Sequence, residues 1–545
     1  MAKELPFKLL NTAYEDIDRM EIDGEDEVLT KIDAALQRKI IEQVNEEYEL
    51  SFRYNEEKRA VQLSRLQLYN NQRRDSSAIG DPLMFTMFNT LHAALYDDRL
   101  MANWEGRGGE GDEDVEENLD ALADFDYDIM NKSELDYYWN WDAEFTGRGL
   151  LLMMDFDRTK GIMAPAPELI DAVTWIRDPS AKSVNGDMMG RGGMRFGGTE
   201  VGATYHQLNK LPAYFNLGSL KKDKEVRSLL DAARTARGLA QGTNKFDPDE
   251  EALGIHNNYE FRLLNWFTTV GGKKYLVTLG NSRSVIVRLV ELKYGRRWPI
   301  IDRTLYPMAH DWDGVSIPDL TEDKQRGRAL LQNLGLEAAK ADSMPQYVYD
   351  KDRIKNKNDL NMRSNKFIGV SGRVDNAILP LQRSTPNNFT SLLMDGMDQA
   401  AQRALATPEI QMGVQSPDAR TLGELNLMSS KVDTRYSMNA KVFGWSERAF
   451  WQQWYRQYKM HFKDEIDEKV IRIQGALAPL WRPLTRENII ADVDPDVKIE
   501  SRVVSEGKRQ RELQSYERFS GIALQDPNAN RRYIERRLGK LNGLK

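Results

Sequence analysis

Apolar residues recur every three or four positions along residues 26–70, where Val28, Ile32, Ala35, Leu36, Ile40, Ile41 and Val44 alternate with charged neighbours. That period predicts an amphipathic helix. Residues 83–95 are more uniformly apolar and follow Asp81-Pro82, a cap residue and a first-turn proline, which predicts a buried helix. Further helices are expected over residues 115–132, 134–144 and 225–240. The period then shortens. Residues 149–155 and 172–176 are apolar runs of the kind buried in an α/β layer. Residues 259–270, 274–278 and 284–292 are alternating or β-branched, with Gly271-Gly272 and Gly280-Asn281 between them, and predict an antiparallel meander. The glycine-rich stretches 107–117 and 189–198 read as loops, and 241–254 as a polar connector.

The second half has an unusual order of elements. A strand-like stretch ends in Trp298-Pro-Ile-Ile-Asp-Arg-Thr-Leu-Tyr-Pro307. A helical pattern covers 318–340, a polar insertion with two short strand-like runs follows, and a second helical pattern covers 387–406. After a loop punctuated by Pro408, Gly413 and Pro417, a helix-patterned run begins near Thr421. Leu422, Leu425, Leu427, Met428, Val432, Tyr436, Val442, Trp445, Phe450, Trp454 and Tyr458 give it a broad apolar stripe. About forty residues of helix span roughly 60 Å. A helix of that length joins layers or packs against copies of itself. Strand-like runs at 470–474 and 497–504 and a basic helical tail complete the chain. Two medium helices bracketing an insertion, then a loop and one very long helix, suit a ring or tunnel wall.

Composition narrows the class. At 545 residues, 41% hydrophobic and 29% charged, the chain buries a large core and is not broadly disordered. No apolar run is long enough to span a membrane, and Met1-Ala-Lys-Glu-Leu-Pro begins no secretory signal. Cysteine is absent, which excludes disulfides, Cys-ligated zinc and thiol nucleophiles and fits assembly in a reducing cytoplasm. The net charge of −8 has the wrong sign for a protein that grips nucleic acid over a broad face. It is unevenly spread: residues 1–60 are rich in Glu and Asp, whereas the tail after Ser501 carries Lys508-Arg509, Arg531-Arg532 and Arg536-Arg537.

Catalytic and metal motifs were sought and fail. Gly271-Gly-Lys-Lys lacks the upstream glycine and following Ser or Thr of a phosphate-binding loop and reads as a hairpin turn. The five histidines, His92, His206, His256, His310 and His461, lack the spacing of a zinc helix. His310, near Asp311 and Asp313, reads as part of a turn-side polar network ahead of a ligand. Asp124-x-Asp126-x-Asp128 and Asp492-x-Asp494-x-Asp496 lack the glycine and glutamate of a calcium loop. Asp142 and Glu144 beside Trp139 and Trp141 suggest a sugar cleft, but aromatics in a helical run are more often core. No catalytic residue, metal or cofactor is assigned. In the insertion, Lys351, Arg353, Lys355, Lys357, Arg363 and Lys366 alternate with aspartates, which fits a solvated loop or a protein-docking tip.

The order of elements resembles the portal, or head-to-tail connector, proteins of tailed bacteriophages. The residues that carry the resemblance are the Tyr306–Leu320 turn (Tyr-Pro-Met-Ala-His-Asp-Trp-Asp-Gly-Val-Ser-Ile-Pro-Asp-Leu), Asp323-Lys-Gln325 and Leu331-Gln-Asn333 on the polar face of the first helix, and Thr421-Leu-Gly-Glu424, which has the form of a capping box. Asn70-Asn-Gln-Arg-Arg-Asp75 and Phe88-Asn-Thr-Leu-His92 look like portal wing sequence, so the resemblance runs over about residues 60–505. It implies an α+β, mainly helical chain: an N-terminal arm and α/β wing (1–316), a stem helix (317–342), a clip (343–385), a second stem helix (386–406), a tunnel loop (407–420), a spine helix (421–463), wing return strands (464–505) and a short helical crown (506–545).

The resemblance also implies a function: a ring, usually dodecameric, at one capsid vertex of the virion. It would be assembled in the host cytoplasm, would pass double-stranded DNA during packaging and ejection, and would have no catalysis of its own. Its partners would be copies of itself, the terminase, head-tail adaptors, and the major capsid and scaffolding proteins, with no membrane. Gln411, Gln415 and Arg420 are then the DNA-facing residues, and the six basic residues of the insertion the clip docking site. An acidic bore would let the duplex slide. Two other classes compete: a carboxylate-based nucleic-acid or carbohydrate-processing enzyme, with Asp311 and Asp313 as the residues to test, and another virion structural protein of the tail or ejection type.

Overall fold

The computed structural model describes residues 26–29, 33–71, 80–96, 100–106, 112–159, 163–186, 191–221, 261–295, 297–343, 347–350, 352, 354, 370–371, 378–380, 389–405, 422–462, 467–474, 479–491, 494–501, 516 and 518. The predicted helix over 225–240, the loop 407–420 and nearly all of the tail 506–545 lie outside them.

The first predicted helix begins later than its pattern suggests. A two-residue strand β1 (Glu27–Val28) precedes α1 (Ala34–Tyr69). Next come α2 (Leu83–Tyr96), a strand that sequence reading missed, β2 (Leu100–Glu105), and then α3 (Asp112–Ile129) and α4 (Lys132–Thr146). Strands β3 (Gly149–Asp157), β4 (Ala164–Ile170), β5 (Trp175–Arg177) and β6 (Gly197–Ala203) lead to the short helix α5 (Tyr205–Asn209). The run expected at 172–176 starts as a turn instead, because Asp171 accepts from Val173 N through its side chain at 3.0 Å and from Trp175 N through its carbonyl at 3.1 Å. Strand β4 was unexpected because it contains Pro165 and Pro167. It lies at the edge of the sheet ordered β10-β3-β4, where a missing amide is tolerated.

The meander is as predicted: β7 (Phe261–Val270), β8 (Lys273–Gly280) and β9 (Val285–Leu292). Gly271 and Gly272 both have positive φ, +61° and +86°, so the tight β7–β8 turn needs glycine there. Together with β1, β6 and β5 these strands make a six-stranded sheet ordered β1-β9-β8-β7-β6-β5. Every strand pair among the described residues is antiparallel, so the expected α/β layer is instead an antiparallel α+β arrangement.

Strand β10 (Ile300–Arg303) pairs with β3 and delivers the chain to α6 (Ile317–Ser343). The short strands β11 (Tyr347–Tyr349) and β12 (Ile378–Pro380) pair with each other, and α7 (Phe389–Leu405) and α8 (Leu422–His461) follow. The chain closes with β13 (Lys469–Gln474), β14 (Pro479–Leu484), α9 (Arg486–Ile489) and β15 (Asp496–Ser501), which pairs with the distant β2.

The centre of the molecule is the C-terminal half of α8. Phe450, Trp451, Trp454, Tyr455 and Tyr458 pack with Leu119 and Leu122 of α3, Trp139 of α4, Leu151 and Met153 of β3, and Ile471, Leu484 and Val497. Four further cores accompany it among the described residues, and two of them position the helices. In one, Ile40, Val44 and Tyr48 of α1 cover one face of the six-stranded sheet. In the other, α2 packs against Ile317, Ala401, Leu405 and Phe443. Of the predicted α8 stripe, Val442, Phe450, Trp454 and Tyr458 are buried, whereas Trp445 is 66% exposed and is not a core residue.

Candidate functional site: a helix pair rooted on the body

The chain reaches α6 through a braced turn. Gly314 N donates to Gly147 O at 3.1 Å and Val315 N to Tyr306 O at 2.9 Å. Ser316, fully buried, then forms a reciprocal cap: Asp319 N donates to its Oγ at 3.2 Å, and Ser316 N and Oγ donate to Asp319 Oδ2 at 2.8 and 2.7 Å. Burial pushes the Asp319 carboxyl up, but these hydrogen bonds and the Arg65 guanidinium at 2.6 Å outweigh it and hold it below its usual value. Arg65 also reaches Glu322 at 2.9 Å, and Arg326 bridges Glu322 and Ser64. The first turns of α6 are therefore bolted to α1.

Gln325 departs from the sequence reading. Expected on a polar face, it is 3% exposed, with its Oε1 accepting from Met84 N at 2.9 Å and its Nε2 donating to Leu68 O at 2.9 Å. It thereby satisfies the amide left open at the start of α2 and a carbonyl at the end of α1. Asn333 is local, donating to Ala329 O at 2.7 Å.

Two contacts hold α7 against α6. A Cβ on Gly327 would lie 2.9 Å from Met397 Cε, the free end of a flexible side chain, so Met397 packs directly over the glycine. One residue on, Arg328 pairs with Asp398 of α7 and, at 2.7 Å, with Asp81 at the start of α2. At this root Ala401 and Leu405 are fully or almost fully buried. Beyond it the surface changes: Leu330 and Leu334 of α6 and Leu392 of α7 are 61%, 51% and 66% exposed. The β11–β12 pair sits between the two helices in sequence, on the far side from the root. The pair is thus an antiparallel projection, anchored by hydrogen bonds and ion pairs at one end and apolar on its outside.

The long helix α8 is fixed by a buried charge network. Glu447, 2% exposed, accepts from Lys132 of α4 at 2.9 Å and from Arg303 of β10. Lys132 and Arg303 also pair with Asp136, and Arg303 donates to Asn140 and lies over the Trp139 ring at 3.7 Å. Burial and the neighbouring Glu447 charge push Asp136 up from 3.8 to about 6. For Glu447 burial is outweighed by Lys132 and Arg303, and its carboxyl stays below the usual value. A cavity of about 710 Å³ opens beside the network, lined by Tyr96, Asp136, Arg303, Phe443 and Glu447 among others. Two to three turns further along α8, Asp126 accepts from Trp454 Nε1 at 3.0 Å, from Tyr458 OH and from Lys469.

The other candidates fall as follows. His310 is exposed in a turn with φ of 67°. Asp313 is the counter-ion of Lys58 and Arg177. Trp139 is fully buried and Trp141 stacks on Phe145 at 4.7 Å, so they form packing contacts and no sugar cleft. Among the described residues no group of three or more metal-binding side chains occurs, and no helix is long and apolar enough to cross a membrane. Lys351, Arg353, Lys355, Lys357, Arg363 and Lys366, as well as Gln411, Gln415, Arg420 and Thr421, lie outside the described residues. Sequence reading missed Lys132, Arg303, Gln325 and Glu447; Arg303 and Glu447 have apolar or aromatic residues nearby in sequence, whereas Lys132 and Gln325 stand among polar neighbours and give no signal.

Residues 272–536, which include α6, the β11–β12 pair, α7 and all of α8, match the family model described as phage SU10 portal protein. The match supports a phage portal protein. That family is structural, a component of the phage virion. The match begins at residue 272, inside the meander, and so leaves out the proposed wing similarity near residues 70–92. No curated protein matches the chain.

The charge network yields a test with opposite signs. Glu447→Gln leaves Lys132 and Arg303 without their shared carboxylate and should destabilise by ~3–5 kcal/mol. Asp136 behaves differently. With its folded pKa raised from 3.8 to about 6, its stabilising contribution is complete below pH 3.8 and is lost as pH rises through 6. Thermal melts of wild type and Asp136→Asn should therefore move in favour of the variant between pH 4 and pH 7. A difference that moves the other way would mean that charged Asp136 stabilises the fold.

Proposed function

We propose that this chain is a portal subunit that closes with copies of itself into a ring, usually of twelve, at one capsid vertex. Double-stranded DNA passes through the ring during packaging and ejection. In this reading residues 317–342 and 386–406 are stem helices lining the channel, 343–385 the clip, 407–420 the tunnel loop and 421–463 the spine helix. Residues 1–316 and 464–505 form the wing and 506–545 a short crown. The terminase and later the head-tail adaptors dock on the clip, and the capsid and scaffolding proteins surround the wing. The chain performs no chemistry itself and is built into the virion in the host cytoplasm.

The observation that carries the reading is the family match over residues 272–536, which falls on the three helices whose order suggested it. Exposed apolar side chains support self-assembly: Leu330, Leu334 and Leu392 on the helix pair, and Met438 and Trp445, two turns apart on α8, at 61% and 66% exposure. A helix pair only two helices thick buries these residues when a second copy lies beside it.

Negative-stain microscopy of the purified chain should show rings with a central hole. Leu330→Asp combined with Leu334→Asp should abolish the rings and leave the subunit's circular dichroism spectrum unchanged, since both side chains face solvent in the monomer. A wild-type chain that stays monomeric at high concentration would sink the proposal.

Two further tests address the parts. Deleting residues 411–416 should preserve rings and impair DNA packaging or retention; normal genome retention would move the channel constriction elsewhere. Charge reversal at Lys355 and Lys357 should weaken terminase or adaptor binding without loosening the ring, and unchanged affinity would remove the docking tip from this insertion.

A further inference from the structure

A small cleft of about 40 Å³ lies where α1, the start of β3, β5 and the Asp311–Gly314 turn meet. Its lining is dominated by hydrogen-bond donors. Arg177 and Arg148 reach it from β5 and from the residue before β3, and are only 5% and 8% exposed. Lys58 and Arg59 reach it from α1, and the indoles of Trp175 and Trp312 complete two of its walls.

The donors outnumber what they meet. Asp313 is the carboxylate within the cleft: one oxygen takes Lys58, and the other lies 3.0 Å from Arg177 and 3.9 Å from Arg148. Arg148 also pairs with Asp302, and Arg177 lies 4.0 Å from Asp311, which is half exposed. Five lining atoms are nonetheless buried without a hydrogen-bond partner: Nε of Arg148, Nε and Nη1 of Arg177 (the latter in the ion pair with Asp313), and the indole nitrogens of Trp175 and Trp312. Every one of these buried atoms is a donor. A buried donor left open costs about 1–3 kcal/mol, and more when it is charged. Burial lowers the Arg148 pKa, and only Asp302 and Asp313 oppose it.

We propose that the cleft binds a small tetrahedral oxyanion, such as inorganic phosphate, on Arg177 and Arg148. Guanidinium forks match the paired oxygens of such an ion, and its unprotonated oxygens are the acceptors that the open buried donors need. The size of the cleft favours a free ion, since a space of this volume holds more than one water but no nucleoside. Bound there, the ion ties α1 and β5 to the turn that launches α6, and so stiffens the root of the helix pair. The inference is independent of the portal reading.

The test uses the full chain in sodium phosphate or sodium chloride at matched ionic strength, read by thermal melting and by calorimetric titration of phosphate. Phosphate should raise the melting temperature by several degrees more than chloride. Lys58→Gln, at the rim, should weaken phosphate binding about tenfold. Asp313→Asn removes the competing carboxylate and should tighten it, whereas a purely structural role for Asp313 would give a destabilised protein with no gain in affinity. The proposal is overturned by equal melting temperatures in phosphate and chloride, by phosphate affinity that Lys58→Gln leaves unchanged, or by affinity that falls in Asp313→Asn. If a nucleoside triphosphate stabilises the chain more than phosphate does, the free-ion assignment is wrong.

Discussion

The structure depends on running a forty-residue helix through the middle of an α+β body. From Glu447 onward most side chains of α8 are enclosed, by α3 and α4, by the β10-β3-β4 sheet, and by the strands that follow it, while Trp445 and Arg448 face solvent. A surface helix can leave polar residues in water; this one cannot. Glu447, Gln453, Arg456 and Gln457 are all at most 7% exposed, so each must find a partner inside. Glu447 takes Lys132 and Arg303, Gln453 and Gln457 donate to Met153 O, and Arg456 donates to Lys293 O at 3.0 Å. These pairings fix both the rotation and the axial position of α8. A slip by one residue would carry Glu447 away from two cations and bring Ser446 or the like-charged Arg448 to them.

That constraint propagates to the helix pair. Arg303, which meets Glu447, closes β10, and the turn from β10 leads to Gly314 and the Ser316 cap of α6. The same α6 is held to α1 by Arg65 and to α2 by Gln325 and Arg328. Position is thus handed from α8 to β10 to α6, and from α6 to α7 across the Gly327–Met397 approach and the Arg328–Asp398 pair. Beyond Arg328 the interactions that fix the pair to the body give way to exposed leucines. A projection stiff at its root and apolar along its length is suited to contact with neighbouring copies.

Much of this was legible in the sequence, because it depends on local period. The boundaries of α6, α7 and α8 differ from their predicted ranges by only a few residues, and Gly271-Gly272 marked the meander turn it makes. What escaped was non-local. Strand β4 was hidden by Pro165 and Pro167, which are acceptable only because the strand lies at a sheet edge, and edge position is set by topology. Strand β2 finds its partner, β15, almost four hundred positions later in the chain. Gln325 was read as surface by residue type, yet it bonds backbone atoms of Leu68 and Met84 some 250 positions away. Trp445 erred the other way, standing in an apolar stripe and facing solvent. For the site, the helix order was visible and the charges that hold it in place were not. Lys132, Arg303 and Glu447 look like ordinary surface residues until the fold brings them together.

The costly buried charges of this network act in fixing structure. Paired carboxylates with a raised pKa, such as Asp136 beside Glu447, occur in enzymes where a proton must be moved. Here both carboxylates are saturated by Lys132 and Arg303, and the arginine is stacked on Trp139, leaving no free acid or base aimed at a substrate. Replacing such a network with apolar residues is often no worse for stability, so its value lies in specifying one arrangement. A helix that must keep one register while its outer face meets other copies has a use for that specificity. A ring of the kind proposed closes only if every subunit presents the same geometry, so in it an error in the rotation of α8 would be repeated at each interface.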